Sequence, residues 1–134
     1  MSTILRRAAG SLMVVGLEGA ELTGLERAWL RLVQPAGVIL FRRNIKDAAQ
    51  TRTLLADATA LCADHAFRCV DVEGGTVDRL RDALAPTPSA QAVAWAMRLY
   101  GIRDAAQTHG ALSARGVRAF GFNTTLAPVL DLAL

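Results

Sequence analysis

A chain of 134 residues is sized for one domain, and 52% hydrophobic content with 5% aromatic residues fits an α/β interior and excludes disorder. Its 15 basic residues, all arginine except Lys46, give a net charge of +3 but form no basic run and carry no interleaved aromatics, which speaks against a nucleic-acid partner. Cys62 and Cys69 stand outside any CxxC or CxxH spacing, so two reduced thiols are expected rather than a metal site or a disulfide, in keeping with a cytoplasmic chain.

Near the N-terminus the apolar run Ser11-Leu12-Met13-Val14-Val15 is too short for a signal-peptide core or a bilayer span, so neither a targeting nor a membrane segment is expected. Residues 11–16 read as a first buried strand. Thr23 with Glu26 three residues later forms a capping box, and Leu22, Leu25, Trp29, Leu32 and Val33 recur at helical spacing until Pro35 ends the run. That stripe, Trp29 included, is expected in the core. Gly37 to Phe41 is a continuous apolar run, as a parallel strand covered on both faces requires, and one right-handed crossover joins it to the first. Arg42, Arg43 and Asn44 close it. Asp47 caps a helix over residues 48–64 with Thr51, Leu54, Leu55, Ala58, Leu61 and Cys62 inward, and His65 at its end is placed to meet the helix carbonyls.

The next stretch, Phe67-Arg68-Cys69-Val70-Asp71-Val72-Glu73-Gly74-Gly75-Thr76-Val77-Asp78-Arg79, is a β-branched run that delivers two carboxylates, a Gly-Gly turn and an arginine. It reads as a buried strand with polar groups at its C-terminal end, the edge where α/β barrels and open α/β sheets build their sites. The glycines allow a sharp turn or a close approach of backbone to a ligand. Asp71 and Glu73, at i and i+2 and about 7 Å apart at Cα, fall on one side of a strand. From spacing alone they form an acid/base pair for glycoside cleavage, bind sugar hydroxyls, or receive N–H groups from the turn. As a divalent-cation site they offer only two hard ligands, and such sites want more.

Pro86 and Pro88 mark an exposed connection over residues 84–88. Ser89 caps a helix to about Leu99, with Ala92, Trp95, Ala96 and Leu99 on one stripe, and Gly101 breaks it. A further helix from about Asp104 ends at Gly116 as its left-handed C-terminal residue, with His109 at the surface or in packing. Phe120 to Leu126 is the fourth strand, Pro128 sits at its end, and Asp131 reaches the same C-terminal face as Asp71. No Gly-x-Gly-x-x-Gly or P-loop spacing supports a nucleotide-binding domain.

Three of these stretches carry a family resemblance. Gly37-Val38-Ile39-Leu40-Phe41-Arg42-Arg43-Asn44-Ile45 resembles the second-strand signature of glycoside hydrolase family 3. Val70-Asp71-Val72-Glu73-Gly74-Gly75 through Arg79 resembles its third strand and loop, and Asn123-Thr124-Thr125-Leu126-Ala127-Pro128-Val129-Leu130-Asp131 its fourth. The match, over about residues 11 to 131, is nearest to the bacterial β-N-acetylhexosaminidases. It implies an α/β fold, the N-terminal half of a (β/α)8 TIM-type barrel with about four parallel strands and intervening helices, so that residues 1–134 form a single partial domain. A whole barrel needs about 250 residues.

For a complete family protein the resemblance implies a retaining exo-glycosidase that removes terminal β-linked N-acetylglucosamine, of the peptidoglycan-recycling type, with no metal or organic cofactor. An aspartate nucleophile forms a glycosyl-enzyme that water releases, with a loop histidine as acid/base. By the same resemblance Asp71 and Arg79 hold hydroxyls of the terminal sugar, Glu73 belongs to the loop without being the nucleophile, Arg43 and Asn44 lie beside the active face, and Asp131 supports the site. Thr76 and Asp78 depart from the usual hexosaminidase residues, which bears on fine specificity. No catalytic residue falls in the chain: the nucleophile, the acid/base and a Lys-His motif are expected beyond Leu134. The chain alone is expected to hold part of a sugar subsite without turnover, and to self-associate or require a complementing C-terminal half, because four strands leave two open edges. The alternative, from another class, is a catalytically inactive truncated carbohydrate-binding or interaction remnant.

Overall fold

Alternation of strands and helices along the chain is what the computed structural model shows over the residues it describes, 2–130. The elements are α1 (Thr3–Gly10), β1 (Val14–Gly16), α2 (Gly24–Val33), β2 (Gly37–Leu40), a 3-10 turn (Arg42–Asn44), α3 (Ala48–Thr59), β3 (Phe67–Val70), β4 (Val72–Gly74), β5 (Val77–Asp78), α4 (Ala90–Tyr100), α5 (Ala105–Ala119) and β6 (Thr124–Thr125). Strands β1, β2, β3 and β6 pair in that order, all parallel, while β4 and β5 form a separate antiparallel hairpin. This is the α/β arrangement of the barrel type, with a helix or helix pair in each crossover.

The core lies where β2 and β3 meet α3. Val38, Leu40, Val70 and Leu55 are buried there, each worth about 1.5–3 kcal/mol as side-chain burial. Gly37 to Leu40 is thus the doubly covered strand that its unbroken apolar run predicts. The capping box of α2 also forms. The Thr23 hydroxyl oxygen accepts from Glu26 N at 3.1 Å, and Glu26 Oε2 accepts from Thr23 N at 2.8 Å. Burial works to raise the Glu26 carboxyl, but the N–H groups of Glu18 and Thr23 and the Thr23 hydroxyl outweigh it and hold it below its ordinary value.

Several expectations are corrected. Residues 11–13 are not strand; β1 is three residues long, and Val14 is 43% exposed because β1 is the sheet's edge. On α2 the buried residue is Leu30; of the expected stripe Leu22 packs against the core and Val33 is half-buried, whereas Leu25 at 82%, Trp29 at 41% and Leu32 are exposed, so the middle of the stripe points away from the core. Helix α3 stops at Thr59 rather than 64. His65 takes a left-handed φ of 58° in the loop that follows, and no hydrogen bond to the helix carbonyls is present among the described residues. Trp95 and Leu99 of α4 are exposed while Val93, Ala96 and Met97 are half-buried. Gly116 does not end α5. It lies inside the helix, where a Cβ would stand 3.0 Å from Leu84 Cδ2, and the left-handed residue after the helix is Gly121. The fourth strand shrinks to Thr124–Thr125, since Phe120 and Phe122 are spent on the core. Among the described residues no helix is long and apolar enough to cross a membrane.

Candidate functional site

The C-terminal ends of β1, β2 and β3 lie side by side, because the strands are parallel and adjacent. Asp71 follows Val70 at the end of β3. The β4–β5 hairpin then folds back with Val72 opposite Asp78, which sets Arg79 opposite Asp71. Arg79 N donates to Asp71 O at 3.1 Å, and Arg79 Nη2 donates to Asp71 Oδ2 at 3.4 Å. The Asp71 side chain is 15% and that of Arg79 32% exposed. Arg79 Nε is buried without an acceptor among the described residues. The sequence-named pair is therefore brought together by hairpin register.

Glu73 does not share a strand with Asp71 in the way its spacing implied. Asp71 occupies the break at which the chain leaves the parallel sheet, and Glu73 lies in the hairpin strand β4. The glycines are corrected too: they meet protein and not an open ligand site. Gly74 and Gly75 have φ of 85° and 64°, and a Cβ on Gly74 would stand 2.1 Å from Pro88 O, one on Gly75 2.8 Å from Ser89 Cβ. Segment 87–89 is seated there by Asp78, which is 2% exposed and accepts from Leu80 N at 3.0 Å, Thr87 N at 3.0 Å and the Thr87 hydroxyl at 2.8 Å. This anchoring role was missed; its one sequence signal is an Asx turn, aspartate two residues before the amide it accepts from. His109 Nε2 adds a 2.8 Å contact to Pro88 O.

Arg43 and Asn44 lock the neighbouring loop. Arg43 donates to the carbonyls of Leu17 and Glu18, and fully buried Asn44 donates to Leu17 O and Gly19 O while accepting from Phe41 N. Arg42 forms a two-pronged pair with Asp82, its Nη2 2.6 Å from Oδ1, and the hydrogen bond and charge hold the Asp82 carboxyl below its usual range. Burial raises both thiols, Cys62 to about 11, and neither is in a disulfide. Asp131 lies outside the described residues. Among those described, no group of three or more His, Cys, Asp or Glu side chains could hold a metal ion. Two depressions lie elsewhere. One of about 680 Å³ sits by His65, Arg68 and Asn123, at the opposite end of β3, and one of about 350 Å³ lies between α4 and α5. Neither is lined by Asp71 or Arg79; the strand ends carry the paired carboxylate and guanidinium, and polar groups that converge weigh more than volume.

Residues 5–134 match the family described as the glycosyl hydrolase family 3 N terminal domain. A β-hexosaminidase of Xanthomonas campestris pv. campestris (strain B100) is 40% identical over 125 residues, 91% of this chain and 38% of that protein. Among solved structures, a glycoside hydrolase family 3 β-N-acetylglucosaminidase from Paenibacillus sp. str. FPU-7 superposes with a TM-score of 0.82 at 29% identity, covering 96% of this chain and 24% of that one. NagZ from Neisseria gonorrhoeae in complex with N-trifluoroacetyl-D-glucosamine superposes with a TM-score of 0.81 at 30% identity, covering 90% of this chain and 37% of that one. The chain spans well under half the length of the relatives it matches.

Proposed function

This chain belongs to the glycosyl hydrolase family 3, and from that premise we propose that it supplies part of the sugar-binding face of a retaining exo-glycosidase acting on terminal β-linked N-acetylglucosamine. The observation that carries the reading is the Asp71–Arg79 pair at the C-terminal ends of a parallel sheet. A carboxylate accepts two hydroxyl hydrogen bonds and a guanidinium donates in a fixed fork, so together they hold a pyranose ring in one orientation. Their 3.4 Å contact is long for an ionised pair, which leaves both groups capacity for a hydroxyl. The complex of the gonococcal relative with an N-acylated glucosamine supports the sugar class.

In this reading residues 1–134 form one partial barrel domain. The nucleophile and the acid/base are assigned to the part of the relatives that lies outside the matched stretch. Exposed Leu25, Trp29 and Leu32 on α2, Trp95 and Leu99 on α4, and the outer edge of β1 are then faces for a complementing C-terminal half or a second copy. Sedimentation over a range of concentrations checks this, and a monodisperse monomer at every concentration counts against it.

The direct test is the thermal midpoint of the chain titrated with N-acetylglucosamine. The midpoint rises for the parent chain and stays flat for Asp71→Ala and Arg79→Ala. A parent midpoint indifferent to the sugar refutes the subsite. Hydrolysis of an aryl N-acetylglucosaminide by the pure chain, abolished in Asp71→Ala, overturns the assignment of the nucleophile elsewhere.

A further inference from the structure

Two guanidinium groups lie over one aromatic ring at the strand ends: Arg43 Cζ is 5.0 Å and Arg79 Cζ 5.9 Å from the centroid of Phe41. The two arginines are not equally fixed. Arg43 is held without the ring, since Nη2 donates to Leu17 O at 2.9 Å and Nε to Leu17 O and Glu18 O at 3.2 and 3.1 Å. Arg79 has a single side-chain bond, the 3.4 Å contact to Asp71, and a buried Nε with no acceptor among the described residues. The ring itself is well placed. Phe41 N donates to Asn44 Oδ1 at 2.8 Å, and the ring rests on Gly16, where a Cβ would stand 3.2 Å from Phe41 Cε2. Phe41 is only half-buried, so filling the core does not account for an aromatic there.

An aromatic face attracts a guanidinium through its quadrupole and leaves the N–H donors free. Hydrogen bonds to protein groups would consume those donors. We propose that Phe41 is a positioning residue for Arg79: its ring sets where the guanidinium stands, so that the donors stay available to sugar hydroxyls. The proposal rests on the reading of Arg79 as a sugar-binding residue, and a leucine at the position would fill the space without supplying the interaction.

The experiment compares the parent chain with Phe41→Leu and Phe41→Tyr. One readout is the Arg79 Nε–H proton resonance without sugar, and the other is the dissociation constant for N-acetylglucosamine. The Arg79 resonance is displaced from the ordinary arginine position by the ring current in the parent and in Phe41→Tyr, and returns to it in Phe41→Leu. Sugar binding weakens about two- to five-fold in Phe41→Leu and is restored by Phe41→Tyr. A loss of affinity that Phe41→Tyr fails to rescue, or an undisplaced parent resonance, overturns the proposal. If Phe41→Leu does not fold, Gly16→Ala serves, since it displaces the ring by a few tenths of an ångström; an unchanged Arg79 resonance there overturns the proposal. A displaced parent resonance in a chain that does not bind the sugar refutes the sugar subsite while leaving the placement of Arg79 by Phe41 intact.

Discussion

Replacing Asn44 by alanine measures how much of this fold depends on side-chain hydrogen bonds between strand ends. Asn44 is 0% exposed and spends its amide on three backbone groups, accepting from Phe41 N at 2.8 Å and donating to Leu17 O at 3.0 Å and Gly19 O at 2.8 Å. The losses are unequal. Leu17 O keeps both bonds from Arg43, and Gly19 is half-buried, so its carbonyl turns to water. The Phe41 N–H is left without its acceptor. At about 1 kcal/mol net for each of the three bonds, the expected cost is about 2–4 kcal/mol, a large share of a typical total of about 5–15 kcal/mol. With a urea dependence of about 2 kcal/mol per molar, the middle of the range for small domains, the midpoint followed by circular dichroism falls by about 1–2 M. Asn44→Asp keeps the shape but turns the donating edge toward two carbonyl oxygens as a carboxylate. Its folded pKa is raised, so the destabilisation sets in above the unfolded aspartate value of about 4, is complete above the folded value, and is relieved as acid protonates the group. An alanine variant within about 0.2 M of the parent refutes the reasoning.

Glu26 is held below its ordinary 4.5 in the fold, so the stability it adds is present above pH 4.5 and is lost as pH falls through the folded value; the urea-midpoint gap between the parent and Glu26→Gln narrows only in that acid window, and a pH-independent gap contradicts the capping assignment. Gly74→Ala meets both a φ of 85° and Pro88 O at 2.1 Å, whereas Gly101→Ala meets a φ of 66° in open space, so the former lowers stability well beyond the about 1–2 kcal/mol expected of the latter, and equal losses refute the close contact. Cys62, pushed up to about 11, is thiolate in only about one molecule per thousand at pH 8, so iodoacetamide labels it some two orders more slowly in the folded chain than in urea; equal rates contradict its burial.

What the sequence made legible, and what it concealed, follows from how each signal arises. The run Gly37 to Leu40 reads correctly because burial on both faces leaves an unbroken apolar string, and Thr23 with Glu26 reads correctly because a capping box is local chemistry. The stripe Leu25, Trp29, Leu32 has the right period but the wrong destination. Periodicity shows that a helix has an apolar face, not what lies against it. Gly116 misleads because glycine serves two ends, and close packing against Leu84 looks like a helix stop from composition. Of the site, the presence of Asp71 and Arg79 was readable through the resemblance, but their apposition depends on the β4–β5 register. Asp71 and Asp78 are indistinguishable as letters. One faces the strand-end shelf and the other is buried as a staple for Thr87.

Polar side chains tie this edge together: Asn44 and Arg43 join the end of β2 to that of β1, Arg42 joins it to Asp82 beyond the hairpin, and Thr125 of β6 accepts from Val72 N. These links differ in kind. Asn44 is buried, so its bonds carry folding stability, whereas Arg42 and Asp82 are solvent-exposed and their pair contributes little to it. Stability and site geometry therefore separate at Arg42. Arg42→Ala leaves the urea midpoint nearly unmoved, yet it frees the turn after Arg79, in which Ala83 N and Leu84 N donate to Leu80 O. Hydrogen exchange at Ala83 and Leu84 accelerates in the variant while exchange in β2 and β3 does not. Uniform acceleration, or none, means that the Arg42–Asp82 link does not hold the loop that carries Arg79, and the orientation of that arginine then rests, among the described residues, on Asp71 and the proposed contact with Phe41.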